Sequence, residues 1–129
     1  AENRVQLLRR AVTQSAGGSV ATLAEVDALR GRLTVIRTAL RGDGVADDRV
    51  EPRSPSIAER VGNVVEGQFE VTSGPTKTHE EQIAIASARL EKVLADLRVI
   101  VETDLKALEA RFDAAGAPWT PGRWPTLGK

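Results

Sequence analysis

The chain of 129 residues has no cysteine, no methionine and a single histidine. Without cysteine there is no disulfide, no thiolate nucleophile and no cysteine-based metal site. That leaves the compartment open, because exported helical bundles need no disulfides. Aromatic residues make up 3% of the chain, which leaves little to stack on bases or sugars. Neither sign of charge is in excess: 18 basic and 18 acidic residues cancel. A zero balance argues against nucleic acid, where phosphate neutralisation needs a basic surplus. No apolar run approaches the ~20 residues of a membrane-spanning helix, and no signal peptide is recognisable. The lack of methionine and the start at Ala1 lead us to expect a processed chain or a piece of a longer one.

What is present is helical periodicity. From Thr78 to Ala115 neither proline nor glycine interrupts the chain. Apolar residues recur at Ile83, Ala86, Leu90, Val93 or Leu94, Leu97, Val101, Leu105, Leu108 and Phe112. Steps of three and four place them on one stripe of a helix. Such a helix would span roughly 55–60 Å. Gly116 and Pro118 end it.

Upstream, residues 2–15 read as a helix with Val5, Leu8 and Val12 on one face. The run Ala16-Gly17-Gly18-Ser19 breaks it. Ser19 or Thr22 caps a second helix, about residues 20–41, with Leu23, Val26, Leu29, Leu33, Ile36 and Leu40 inward. Gly42 stops it, and residues 42–55 read as a loop. Ser56, with Glu59 three residues later, forms a capping box for a third helix, about 56–70. Ile57, Val61, Val64 or Val65, and Gln68 make its inner face. Gly62 and Gly67 suggest close approach of a neighbouring backbone. Thr76 or Thr78 caps the long helix, about 77–115, and Thr78 with Glu81 reads as a second capping box. The expected fold is all-α: one domain, an up-and-down bundle of three to four helices, a long C-terminal helix and an extended Trp/Pro tail over 116–129.

Charge is uneven along this framework. Residues 1–42 carry seven arginines against Glu2, Glu25 and Asp27, whereas residues 43–76 and 77–115 are net acidic. The simplest use is intramolecular, with the basic first section lying against later acidic ones.

No reaction centre can be assembled. His79 stands beside Glu80 and Glu81 without the second histidine of a zinc motif. It reads as a solvated or locally bonded residue at a helix start. Asp43, Asp47, Asp48 and Glu51 lack the spacing of a calcium loop. Arg41-Gly42-Asp43 spells an adhesion tripeptide, but Gly42 is already explained as a helix stop. Glu102, Asp104, Glu109 and Asp113 lie at mixed helical phases and read as a solvated face with pairs such as Glu102–Lys106. The expectation is therefore a non-enzyme, with no catalytic, metal or cofactor residues. The segment with most functional character is the tail. Three prolines stiffen it, and Trp119, Arg123 and Trp124 are residue types favoured as interface anchors.

Two stretches carry a family resemblance: Ser54-Pro55-Ser56-Ile57-Ala58-Glu59-Arg60-Val61 through Thr72-Ser73-Gly74-Pro75-Thr76, and Ala115-Gly116-Ala117-Pro118-Trp119-Thr120-Pro121-Gly122-Arg123. Together they resemble the C-terminal region of large bacterial sortilin-like, BNR-repeat β-propeller proteins, often labelled glycosyl-hydrolase-like. The resemblance spans about residues 23–125. The propeller itself, with any sugar chemistry or ligand tunnel, lies outside this sequence, and the family supplies no catalytic residues for these positions. The resemblance implies an exported parent, periplasmic or extracellular, with this bundle as an accessory domain. Its expected partner is the parent's β-propeller or another protein, without nucleic acid or membrane insertion. A self-associating, coiled-coil-like module forming a homodimer is the alternative.

Overall fold

A computed structural model describes residues 1–14, 19–44, 52–69 and 74–114. The tail, including Trp119, Arg123 and Trp124, falls outside the described residues, as do most of the acidic loop and both glycines of the first break. The protein is an all-α helical bundle, and the described residues contain no strand. Its helices are α1 (Glu2–Gln14), α2 (Val20–Arg41), α3 (Ile57–Phe69), α4 (Lys77–Val99) and α5 (Leu105–Ala114), with a π turn at Ile100–Asp104 between the last two. Two compact units emerge. One combines Ala1–Thr34 with the described part of Leu97–Lys129; the other is Val35–Asp96.

The core of the first unit is aliphatic. Val5, Leu8, Ala11 and Val12 of α1, Val26, Leu29 and Leu33 of α2, and Ile100, Leu105, Leu108 and Phe112 are all buried. The faces expected on α1 and α2 are the faces used. Ion pairs bind the helices around this core. Arg4 grips Glu109 in a forked arrangement, with its Nη2 2.6 Å from both carboxylate oxygens. Arg9 donates to Asp27 at 2.8 Å and Arg32 to Asp104 at 2.5 Å. Arg111 pairs with Glu25. The pairs Arg32–Asp104 and Glu25–Arg111 run in opposite chain directions, so α2 and α5 are antiparallel. Basic residues of the first section thus meet acids of the last, as the charge pattern implies. The carboxylates of the long helix are not merely solvated: the Glu109 side chain is only 13% exposed. Glu102 lies 3.9 Å from Arg98 rather than pairing with Lys106.

The stripe on the long helix departs from expectation. Ile100 is fully buried and Val101 only half-buried. The inward line runs Leu97, Ile100, Leu105, Leu108, Phe112. Its step of five, from Ile100 to Leu105, would carry a side chain about 140° off the stripe in a regular α-helix. The π turn absorbs the extra residue: the Leu105 N–H donates to the Ile100 carbonyl, five residues back.

In the second unit, Ile36, Ile57, Ala86 and Val93 are buried. Helix α3 starts as read. Ser56 Oγ accepts from the Glu59 N–H at 3.2 Å, and Glu59 Oε2 accepts from the Ser56 N–H at 2.6 Å. Helix α4 is capped by Thr76, whose Oγ1 accepts from the His79 N–H. Thr78 lies inside the helix, so the expected Thr78–Glu81 box is not the cap. At Gly67 a side chain approaches rather than the expected backbone: a Cβ there would stand 3.2 Å from His79 Nε2. At Gly62 neither does, since a Cβ would meet nothing within 4 Å. Gly62→Ala is therefore expected to stabilise the protein by about 0.5–1 kcal/mol, and Gly67→Ala to gain less or to destabilise. Melting temperatures of the two variants decide.

Candidate interaction surface

Helices α3 and α4 form an antiparallel pair. Gln68, near the end of α3, hydrogen-bonds His79 Nδ1 at 2.9 Å at the start of α4. Arg89, further along α4, donates to the carbonyl of Pro55, just before α3, at 2.9 Å. Between them Arg60 bonds Gln82. These contacts turn the side of α3 carrying Arg60, Val64, Gly67 and Gln68 toward α4. His79 is thus a locally bonded residue at a helix start, and among the described residues no group of three or more His, Asp or Glu could hold a metal.

Turning that side inward turns another apolar row outward. Val61, Val65 and Phe69 follow Ile57 at steps of four and are exposed, Phe69 to 86%. Val61 and Val65 are two of the positions assigned to the inner face; the observed inner side is the row of Ile57, Val64 and Gln68. On α4, Ile83, Leu90 and Leu94 are exposed as well, Leu94 to 56%. Measured from buried Ile57, the outward row on α3 advances by about 40°, 80° and 120°. Measured from buried Ala86, Leu90, Ile83 and Leu94 advance by about 40°, 60° and 80° in the same sense. Equal rotational sense on two antiparallel helices places both rows on the same flank of the pair. The result is one apolar flank built from six side chains. Small residues on the same side, Ala58, Gly62 and Ser87, leave the backbone accessible to a close partner.

The other end of this unit is held by a polar cluster. Gly42 closes α2 with φ 90°, the left-handed region open to glycine, and its N–H donates to the Thr38 carbonyl at 2.8 Å. The Arg53 guanidinium lies over Gly42, where a Cβ would come within 2.9 Å of Nη2. The same guanidinium forks onto Glu59 at 2.8 and 2.6 Å. Arg53, followed by the Ser56 N–H and hydroxyl, holds the Glu59 carboxyl down to about 2. A carboxyl depressed in the folded state contributes stability that is complete above its ordinary value near 4.5 and lost as the pH falls toward 2. Glu25 is likewise lowered, by its hydrogen bond to Arg111. The melting temperature is therefore expected to be flat from pH 7 to 5 and to drop between pH 4.5 and 2, with a shallower drop in Glu59→Gln.

The three residues singled out from the sequence, Trp119, Arg123 and Trp124, lie outside the described residues. The flank was missed in the sequence. Its signal was present: Ile57, Val61, Val65 and Phe69 at steps of four, beside a second apolar line through Val64. No helix among the described residues is long and apolar enough to cross a membrane. No family model, curated protein or solved structure matches the chain.

Proposed function

We propose that this chain is a non-catalytic helical interaction module that docks a protein through the apolar flank of α3 and α4. The observation that carries this reading is Phe69 standing 86% exposed at the end of a row of valines. A contiguous apolar patch rimmed by polar residues is a feature of interaction sites. Trp119, Arg123 and Trp124 supply a second set of contacts in this reading. The resemblance to the C-terminal region of BNR-repeat propeller proteins makes the propeller of an exported parent the first partner to test, in the periplasm or outside the cell. A second reading is self-association, favoured by Ile83, Leu90 and Leu94, whose spacing of seven and four suits helix pairing between chains.

Light-scattering mass at several concentrations, for wild type and for a Phe69→Ser/Leu94→Ser variant, separates them. A monomer throughout that binds the propeller only with the flank intact supports the accessory module. A dimer that dissociates in the variant supports self-association. Propeller binding that survives in the variant, or a dimer that ignores it, removes the flank from consideration. A parallel Trp119→Ala/Trp124→Ala variant tests the tail.

A further inference from the structure

We propose that the second unit contains a binding groove for a small amphipathic carboxylate, an apolar chain with one anionic head, at Arg89. The groove lies between the end of α2, the segment before α3, and α4, and has a volume of about 450 Å³. That is within the roughly 300–1,000 Å³ of small-molecule sites. Its walls are largely apolar: Val35, Ile36 and Ala39 from α2, Pro55, and Val93 from α4. An alkyl chain fits such a surface, and no charge stands among these five.

Four charged residues line the same groove: Arg53, Arg89, Lys92 and Asp96. Their partners decide which is available. Arg53 is forked onto Glu59. Lys92 pairs with Asp96 at 2.9 Å. Arg89 bonds a neutral group, the Pro55 carbonyl, and among the described residues no acid pairs with it. A guanidinium has five donors in a planar fork that matches a carboxylate. Arg89 therefore presents an unneutralised fork at the edge of an apolar trough. A carboxylate head completes it, while the tail covers Val93, Ile36 and Ala39. A neutral alcohol leaves the fork unanswered, and an ammonium is repelled by it.

Titration calorimetry of the intact chain with octanoate, 1-octanol and octylammonium tests the site. Octanoate is expected to bind saturably at one site below millimolar concentration, well ahead of both competitors. Arg89→Gln should weaken octanoate about tenfold, the loss of a charge-assisted hydrogen bond, and erase its advantage over octanol. Arg89→Lys should recover part of it. Ala39→Leu, which fills the trough, should weaken octanoate and octanol alike. Circular dichroism confirms that each variant is folded. Three results overturn the assignment: no saturable binding, octanoate affinity unchanged by Arg89→Gln, or affinity lost in Phe69→Ser, which would put the ligand on the flank instead.

Discussion

Deleting Thr103 from the middle of the long helix is expected to leave the protein folded, with stability within about 1 kcal/mol of the parent. Removing a residue from a regular α-helix rotates everything beyond it by about 100°. Here the turn at Ile100–Asp104 holds one residue more than an α-helix would. Thr103 is exposed and belongs to that turn. Its loss converts the step from Ile100 to Leu105 into a step of four. The turn closes as an ordinary helix, and Leu105, Leu108 and Phe112 keep their places. Deleting Ala110, also exposed, provides the contrast. No spare residue lies between Leu108 and Phe112, so Phe112 swings out of the core and Arg111 away from Glu25. The expected cost is about 3–5 kcal/mol, similar to truncating a buried aromatic. Thermal unfolding of the two deletions, side by side, is the test. If both lose the same stability, the turn is not a register corrector.

The same turn shows where the sequence stopped being legible. The helices themselves could be read, since glycine and proline mark their ends and steps of three and four mark their faces. The capping box at Ser56 and Glu59 was explicit, and the basic start of the chain pointed to later acids as its counterpart, although Asp104 and Glu109, which pair with Arg32 and Arg4, read as part of a solvated face. The path through the long helix was not. Val99, Ile100 and Val101 are three successive apolar residues, so a step of four from Leu97 to Val101 looked continuous. Ala86, Val93 and Ile100 are spaced by sevens, however, and the two already buried upstream carry Ile100 inward with them. The regular stripe and the inherited phase disagree by one residue, and backbone geometry resolves the conflict. On α3 the ambiguity was rotational. Two apolar rows compete for one interior, and long-range polar contacts, Gln68 with His79 and Arg60 with Gln82, select which row turns in. Local spacing does not carry that information. The candidate surface became visible only once the other row, Ile57, Val64 and Gln68, was known to turn inward, Ile57 buried and the other two half-buried.

The two phenylalanines make this division measurable. They are the only aromatic residues outside the tail, and composition alone would assign both to the core. The structure separates them: Phe112 is 4% exposed and Phe69 is 86% exposed. Phe112→Ala removes a ring buried in the core of the first unit. A cost of about 3–5 kcal/mol is expected, a fall in melting temperature of about 10 °C or more for a chain of this length. Phe69→Ala removes a ring that faces solvent, so unfolding of the isolated chain should change by no more than about 0.5 kcal/mol. Its effect should appear in association instead, as weaker propeller binding or a lost dimer, because a ring this exposed contributes only when a second surface covers it. A Phe69→Ala variant that unfolds early would mean the ring has an intramolecular role, and the flank would then be part of the protein's own interior. A variant with unaltered stability and unaltered association would leave the exposed ring without a function and would remove the strongest support for a docking module.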